Sequence, residues 1–270
     1  MHCEWSVRAA EHGKHILCEK PLAITTAEAA RMFDAARQHG VLLVEGYPYW
    51  FQPQTEDLVA LLAGPDGSAI GDLRSIHVAF GFMIADPANI RMNPALGGGA
   101  LLDAGSYNLS LIRLVMGCAP VAARADSILS DSGVDICTMA TLRYAGGQRA
   151  QLSCAMNTAY HRRAVIVGSD GVIETEFLNH TSETPDHPWH YHPSEMRLRR
   201  GFSAMIPFEH IHSRTGSGFQ FAAEAFAKMI VENDSAGMER MAAMSLDVAR
   251  MIDAIVLSAK SGKEVELPAW

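Results

Sequence analysis

The sequence predicts an α/β segment followed by an α+β domain built on a large, mostly antiparallel open sheet. Three observations lead there. The first fifty residues alternate helix and strand. Strand-like runs then succeed one another at 121–129, 135–144, 148–157 and 162–168, and two amphipathic helices close the chain.

Residues 4–12 form a short amphipathic helix ending at Gly13, a usual residue type just past a helix. His15 to Lys20 is a short strand around Ile16, Leu17 and Cys18, and it stops at Pro21. Thr25 followed by Glu28 is a capping-box signature; Ala29, Met32, Phe33 and Ala36 follow at helical spacing, and Gly40 closes the helix. Val41-Leu42-Leu43-Val44 is an uninterrupted apolar run, as expected of a parallel strand covered on both faces. Strand, helix and strand in this order make a βαβ unit. Beyond residue 50, Leu58 to Leu62 extends a helix that Pro65-Asp66-Gly67 breaks, and Leu73 to Phe82 is a strand. Ala100 to Met116 is helical, with Leu101, Leu102, Leu109, Ile112 and Val115 as its apolar set. Gly168-Ser169-Asp170-Gly171 is a hairpin turn, and 179–193, rich in His, Pro and Thr, is a surface loop. The last helices span 218–232 and 237–260; in the second, Met241, Met244, Val248, Met251, Ile252 and Ile255 form one core stripe.

Composition bounds the function. The 270 residues are 49% hydrophobic and 19% charged, an ordinary globular balance. A net charge of −8 argues against binding a nucleic-acid backbone, which needs clustered cations. No apolar run approaches the roughly 18 residues of a membrane span, and the opening Met1-His2-Cys3-Glu4-Trp5 lacks the features of a signal peptide. Five cysteines without CxxC spacing fit reduced thiols, so the expected location is the cytoplasm.

Two short motifs carry candidate chemistry. Glu19-Lys20-Pro21 stands at the end of a strand, where α/β folds place ligands. Pro21 restricts the backbone before it, so Lys20 has a fixed direction and can donate a proton or hold a substrate oxygen; the alternative is a solvated strand-end lysine. In Gly97-Gly98-Gly99-Ala100-Leu101-Leu102-Asp103-Ala104-Gly105-Ser106-Tyr107-Asn108 the glycines permit close backbone approach, and Asp103 and Tyr107 share one helix face. A phenol beside a lysine can have its pKa lowered enough to exchange a proton with an alcohol or carbonyl. Equally, Asp103 can be a helix cap and Tyr107 a core residue. His187, His190 and His192 lack metal-site spacing and read as loop histidines, so no metal is expected. His161-Arg162-Arg163 reads as a strand end rather than an anion site.

These motifs, in this order, resemble the glucose–fructose oxidoreductase and inositol dehydrogenase (Gfo/Idh/MocA) family. Residues Gly13 to Ala23 are similar to its strand-and-EKP stretch, and Glu45 to Pro53 to its crossover into the second domain, with Trp50 where arginine is common. Ile70-Gly71-Asp72-Leu73 and Gly262-Lys263-Glu264-Val265 resemble later family segments. Tyr107, where many members carry histidine, most resembles the branch of dihydrodiol dehydrogenase, xylose dehydrogenase and glucose–fructose oxidoreductase. The resemblance implies a cytoplasmic NAD- or NADP-dependent dehydrogenase acting on the CH–OH group of a sugar, polyol or dihydrodiol, and assembling as a homodimer or homotetramer through its sheet. It implies Lys20 and Tyr107 as catalytic residues, Asp103 and Asn108 at the substrate, and Glu19, Lys20 and Pro21 at the cofactor.

One departure stands out. The family's dinucleotide fingerprint, GxGxxG followed by an acidic residue about 20 positions on, has no counterpart: Gly97 and Gly99 have the first spacing, but Leu102 occupies the third position. Only 18 residues precede Glu19, fewer than the roughly 30 of one βαβ unit. The expected organisation is therefore a remnant of a Rossmann domain at 1–50 and a substrate and oligomerisation domain at 51–270, with weak or absent dinucleotide binding. Two other readings are a non-catalytic pseudoenzyme used for oligomerisation or ligand binding, and a family glycosidase that uses NAD transiently.

Overall fold

A computed structural model of the chain describes residues 1–63, 67–186 and 192–267. Helix α1 (His2–Glu11) buries Cys3, Ser6 and Ala10, and leads into β1 (Ile16–Glu19). Helix α2 (Thr26–Gln38) starts at the Thr25 cap: its hydroxyl oxygen accepts the Glu28 N–H at 3.2 Å, and the Glu28 carboxylate accepts the Ile24 N–H at 3.1 Å. Strand β2 (Leu43–Gly46) pairs parallel with β1, Ile16 opposite Leu43 and Glu19 opposite Gly46. Both strands thus end on one edge, and Lys20 and Tyr47 emerge there side by side.

A 3₁₀ turn (Pro48–Phe51) and helix α3 (Pro53–Ala63) connect this pair to the second sheet. That sheet contains β3 (Leu73–Met83), β4 (Ala122–Leu129), β5 (Asp135–Arg143), β6 (Arg149–Ala155), β7 (Asn157–Gly168), β8 (Gly171–Thr175), β9 (Glu195–Arg200), β10 (Glu209–His212) and β11 (Val265–Glu266). Their order is β10-β9-β8-β7-β3-β6-β5-β4-β11. Only β3 and β6 run parallel; every other neighbouring pair is antiparallel. One face alternates inward, with Ile76, Val78, Leu142, Leu152, Ile166, Ile173 and Leu198 buried. Helices α4 (Ser106–Met116) and α6 (Ser235–Ser261) cover that face, and α5 (Gly218–Glu232) packs on the 3₁₀ turn. The other face carries His77, Arg124, Met139, Thr141 and Gln151, and holds a shallow concavity of about 840 Å³.

Three sequence expectations change. The helix expected over 100–116 begins instead with a π-helical turn, Leu101–Gly105. Asp135 on β5 takes the Leu101 N–H at 2.8 Å, so the helix start is tied to the sheet and the chain adopts a wider turn. Gly99 has φ +124°, and a side chain there would run into Asp135, which accounts for one glycine of the triplet. Strands β9 and β10 were not expected, because Glu195–Arg200 is dominated by charge; its alternation is nevertheless clean, with Met196 and Leu198 fully buried. Finally, α6 serves two cores. Its Val248, Met251, Ile252 and Ile255 pack on the large sheet, whereas Ala242 and Ala249 close a second cluster with Met32, Phe33, Cys18 and Leu43. Residues 1–50 therefore share a wall with the C-terminal helix.

Among the described residues no helix is long and apolar enough to cross a membrane. The ion pair of Arg113 on α4 with Asp247 on α6, at 2.7 Å, is 13% and 10% exposed. Asp247 also pairs with Arg250 at 3.6 Å, so its removal leaves the buried Arg113 charge without this partner and takes one from Arg250 as well. Asp247→Ala is expected to lower the unfolding free energy by about 3–5 kcal/mol, read as a drop in the denaturation midpoint.

Candidate active site

Lys20 follows β1, and its peptide bond to Pro21 is cis. The ammonium group donates to the main-chain oxygen of Asp103 at 3.2 Å and forms an ion pair with the Asp103 carboxylate. Arg91 reaches the other carboxylate oxygen at 2.5 Å. Asp103 lies in the π-helical turn, and the glycine triplet before it lets the chain fold tightly on residue 91: the Gly99 N–H donates to the Arg91 carbonyl at 2.9 Å. Burial alone would raise the Asp103 pKa, but Lys20 and Arg91 outweigh it and hold the carboxyl below its usual range.

Tyr107 stands one turn further on, 6% exposed. The Lys20 ammonium lies 4.8 Å from its ring centroid, and the rings of Tyr47 and Phe80 meet it edge-on at 5.3 and 5.8 Å. Its hydroxyl accepts a hydrogen bond from Asn179 Nδ2 at 3.0 Å. Burial pushes the phenol pKa up, opposed by Arg162 and by the Asn179 bond. The expectation that a neighbouring lysine lowers this pKa is thus corrected, since desolvation is the larger effect.

Asn179 is held from several sides. The chain leaves β8 through Phe177, whose φ of +41° is strained for an aromatic residue. The Asn179 carbonyl accepts from Gln52 Nε2 at 2.7 Å and from the Gly218 N–H at 2.9 Å. Any side chain at 218 would strike the carbonyls of Asn179 and Pro48, so glycine is required for this approach.

The His161-Arg162-Arg163 run divides across the sheet. Arg163 faces outward and pairs with Glu174. Arg162 faces inward and is 6% exposed, its guanidinium carbon 4.4 Å from the Phe177 ring, 4.6 Å from Tyr107, 4.7 Å from Phe80 and 5.8 Å from Tyr49. Reading this run as a plain strand end therefore misses a site residue. The signal was its phase: Arg162 lies in step with Ala164 and Ile166, both fully buried.

The structure brings Lys20, Asp103 and Tyr107 together, with Pro21 half-buried and Glu19 exposed beside them. It places Asn108 elsewhere. Fully buried, its side chain donates to the Ser153 carbonyl at 2.9 Å, because adjacent helical residues point in different directions. Its expected substrate contact is not made by this geometry. His187 and His190 lie outside the described residues, and among those described no group of three or more His, Cys, Asp or Glu could hold a metal.

The same geometry fits one end of a dinucleotide. Lys20, Asp103 and Tyr107 line the carboxyl edge of the parallel pair, where a nicotinamide ring and its substrate would meet. A pyrophosphate cradle is not formed at α2: its Thr26 N–H donates to Asp253 at 3.0 Å and its Glu28 N–H to Thr25. A carboxylate already occupies the position an anion would take.

A parallel strand pair leading into a large, mostly antiparallel sheet with helices on one face defines a Rossmann-like start followed by an open-sheet domain. The description "oxidoreductase family, NAD-binding Rossmann fold" matches residues 1–47, and "GFO/IDH/MocA C-terminal domain" matches residues 66–174. The chain is 30% identical over 268 residues to D-xylose 1-dehydrogenase (NADP(+)) 2 of Haloferax volcanii, covering 99% of this chain and 77% of that protein. It is 29% identical to the trans-1,2-dihydrobenzene-1,2-diol dehydrogenase of Xenopus tropicalis, covering 95% and 73%. The solved aldose-aldose oxidoreductase of Caulobacter crescentus, complexed with glycerol, superposes with a TM-score of 0.84 at 28% identity, over 98% of this chain and 76% of that one. The chain belongs to the Gfo/Idh/MocA oxidoreductase family.

Glu45, at the end of β2, is 2% exposed and accepts the Leu22 N–H at 2.8 Å, which anchors the turn after Lys20. Burial pushes its pKa up to about 7, against the pull of that bond and of Lys20. A raised folded-state pKa contributes stability that is present below the unfolded value of about 4.3 and is lost as pH rises through about 7. Glu45→Gln is expected to flatten the loss of stability between about pH 4.3 and 7, measured as denaturation midpoint against pH.

Proposed function

We propose that this chain acts as an NAD- or NADP-dependent oxidoreductase on the CH–OH group of a sugar, polyol or dihydrodiol. The observation that carries this reading is the Lys20–Asp103–Tyr107 group at the carboxyl edge of β1 and β2. Its family relatives, a xylose dehydrogenase and a dihydrodiol dehydrogenase by name, support the substrate class. When bound, the nicotinamide supplies the hydride acceptor or donor.

The protein's own groups handle orientation and the proton. Asp103 accepts from Lys20 through two oxygens, so the ammonium has a fixed direction and one further hydrogen for a substrate oxygen. Tyr107, on the same helix face as Asp103, moves the proton to or from that oxygen. The aromatic wall of Tyr47, Tyr49 and Phe80 keeps water from the phenol. Glu19 and Pro21 border the nicotinamide end.

Dinucleotide binding by these residues is weak in this reading, because they engage the ring end and leave the pyrophosphate without a cradle. Loss of two charge-assisted hydrogen bonds, about 1.5–3 kcal/mol each, moves a micromolar site to roughly 0.1–10 mM. The test is aldose or polyol oxidation by the purified chain at millimolar NAD or NADP, with calorimetry alongside. Lys20→Ala and Tyr107→Phe are expected to lower turnover by roughly 10²–10⁴-fold each. Wild-type turnover in either variant sinks their assignment, and micromolar dinucleotide affinity sinks the weak-binding reading. Ligand binding without turnover under any of these conditions favours a pseudoenzyme, and cleavage of aryl glycosides favours a glycosidase.

The open sheet face supports a second proposal, a cytoplasmic homodimer or homotetramer. Its Met139 is 61% exposed amid Ala79, Ala125 and Val165, an interrupted alternation that suits a partner surface. Sedimentation velocity at micromolar concentration is expected to give a dimer or larger, and a stable monomer refutes it.

A further inference from the structure

Arg162 presents a physical anomaly. Its guanidinium is buried among four aromatic rings, its Nε has no hydrogen-bond partner, and no carboxylate forms an ion pair with it among the described residues. Burying such a charge is costly, and stacking on rings offsets only part of that. A methionine would fill the space between Phe80, Tyr107 and Phe177 without it. Packing therefore does not account for an arginine here.

Its one bond does. Arg162 Nη2 donates to Asn179 Oδ1 at 3.3 Å, and Asn179 Nδ2 donates to the Tyr107 hydroxyl oxygen at 3.0 Å. A guanidinium has donors and no acceptor, so it dictates which way the Asn179 amide faces. The oxygen must face Arg162 and the NH₂ must face the phenol. The Tyr107 oxygen thus always accepts from Asn179, an arrangement that favours the ionised phenol and leaves the phenolic proton pointing elsewhere. The strained Phe177 and the clamped Asn179 carbonyl hold this bridge in place.

We infer that Arg162, acting through Asn179, is the positioning residue that makes a phenolate at Tyr107 accessible during proton transfer. The inference rests on the reading of Tyr107 as the proton-transfer group. The other groups facing Tyr107 do not supply this charge. Asp103 and Glu19 oppose ionisation, and Tyr47, Tyr49 and Phe80 present uncharged rings. Lys20 lies over the ring but is already paired with Asp103. Tyr160 and Glu176 face Arg162 itself. Burial raises the Tyr107 pKa, and Arg162 is the largest influence against that rise.

The experiment places 3,5-difluorotyrosine at position 107 of the full chain and follows its ionisation by ¹⁹F NMR against pH, without cofactor or substrate. Fluorination lowers the phenol's titration range, which keeps the measurement within conditions where the protein is folded. Arg162→Met is expected to raise the midpoint by about one to three pH units, the usual effect of losing an opposite charge at this distance. Asn179→Ala, which keeps the guanidinium but breaks the bridge, is expected to raise it as well. Arg163→Met, removing a charge from the opposite face of the same strand, is expected to leave it unchanged. If Arg162→Met does not fold, Arg162→Gln, which keeps a polar side chain there but removes the charge, takes its place with the same expected rise. Midpoints in Arg162→Met and Asn179→Ala equal to that of Arg163→Met overturn the inference. Because no turnover is measured, the readings fail separately: a moved midpoint in a chain without oxidoreductase activity overturns the proposed function only.

Discussion

The carboxylate of Asp103, held between Lys20 and Arg91, is the contact that joins the two halves of this chain at their working edge. Lys20 comes from the parallel strand pair, Arg91 from the loop after β3, and Asp103 from the turn that opens α4. One buried anion between two cations satisfies all three, and it does so only while each element is in place. The local backbone conforms to that requirement. The π-helical turn, the Gly99 conformation and the Asp135 acceptor for the Leu101 N–H together bring residue 103 to the strand edge.

Around that contact the site is built from unequal electrostatic environments. Two cations hold the Asp103 carboxyl below its usual range, whereas burial at the end of β2 pushes the Glu45 carboxyl up to about 7. Tyr107 lies in a box of aromatic rings, where desolvation dominates and Arg162 is the largest influence against it. Pairs of titratable groups pushed in opposite directions are what acid–base chemistry requires. Such a site also constrains the fold, because α6 must close the small cluster behind β1 and β2 while packing on the sheet.

Much of the framework was legible from residue order. Helical spacing and the Thr25 cap marked α2, the Val41–Val44 run marked a parallel strand, and Gly168–Gly171 marked the turn between β7 and β8. Lys20, Asp103 and Tyr107 could be singled out because Glu19-Lys20-Pro21 closes a strand and 103 and 107 share a helix face. Strand β9 was hidden because its outward residues are charged and its pairing partner, β8, lies about twenty residues away across a loop, and β10 because it pairs only with β9.

Sequence alone determined α2, the strand pair before and after it, most strands of the large sheet and the Gfo/Idh/MocA pattern, since periodicity, caps and short motifs are local properties. Tertiary structure alone decided which distant groups meet. That Asn108 turns into the sheet, that Asn179 and Arg162 stand behind Tyr107, and that Asp253 occupies the start of α2 all depend on separations of many residues closing in space. It also decided the direction of the Tyr107 pKa, because desolvation is set by what the fold packs around a group, and no spacing in the chain encodes that.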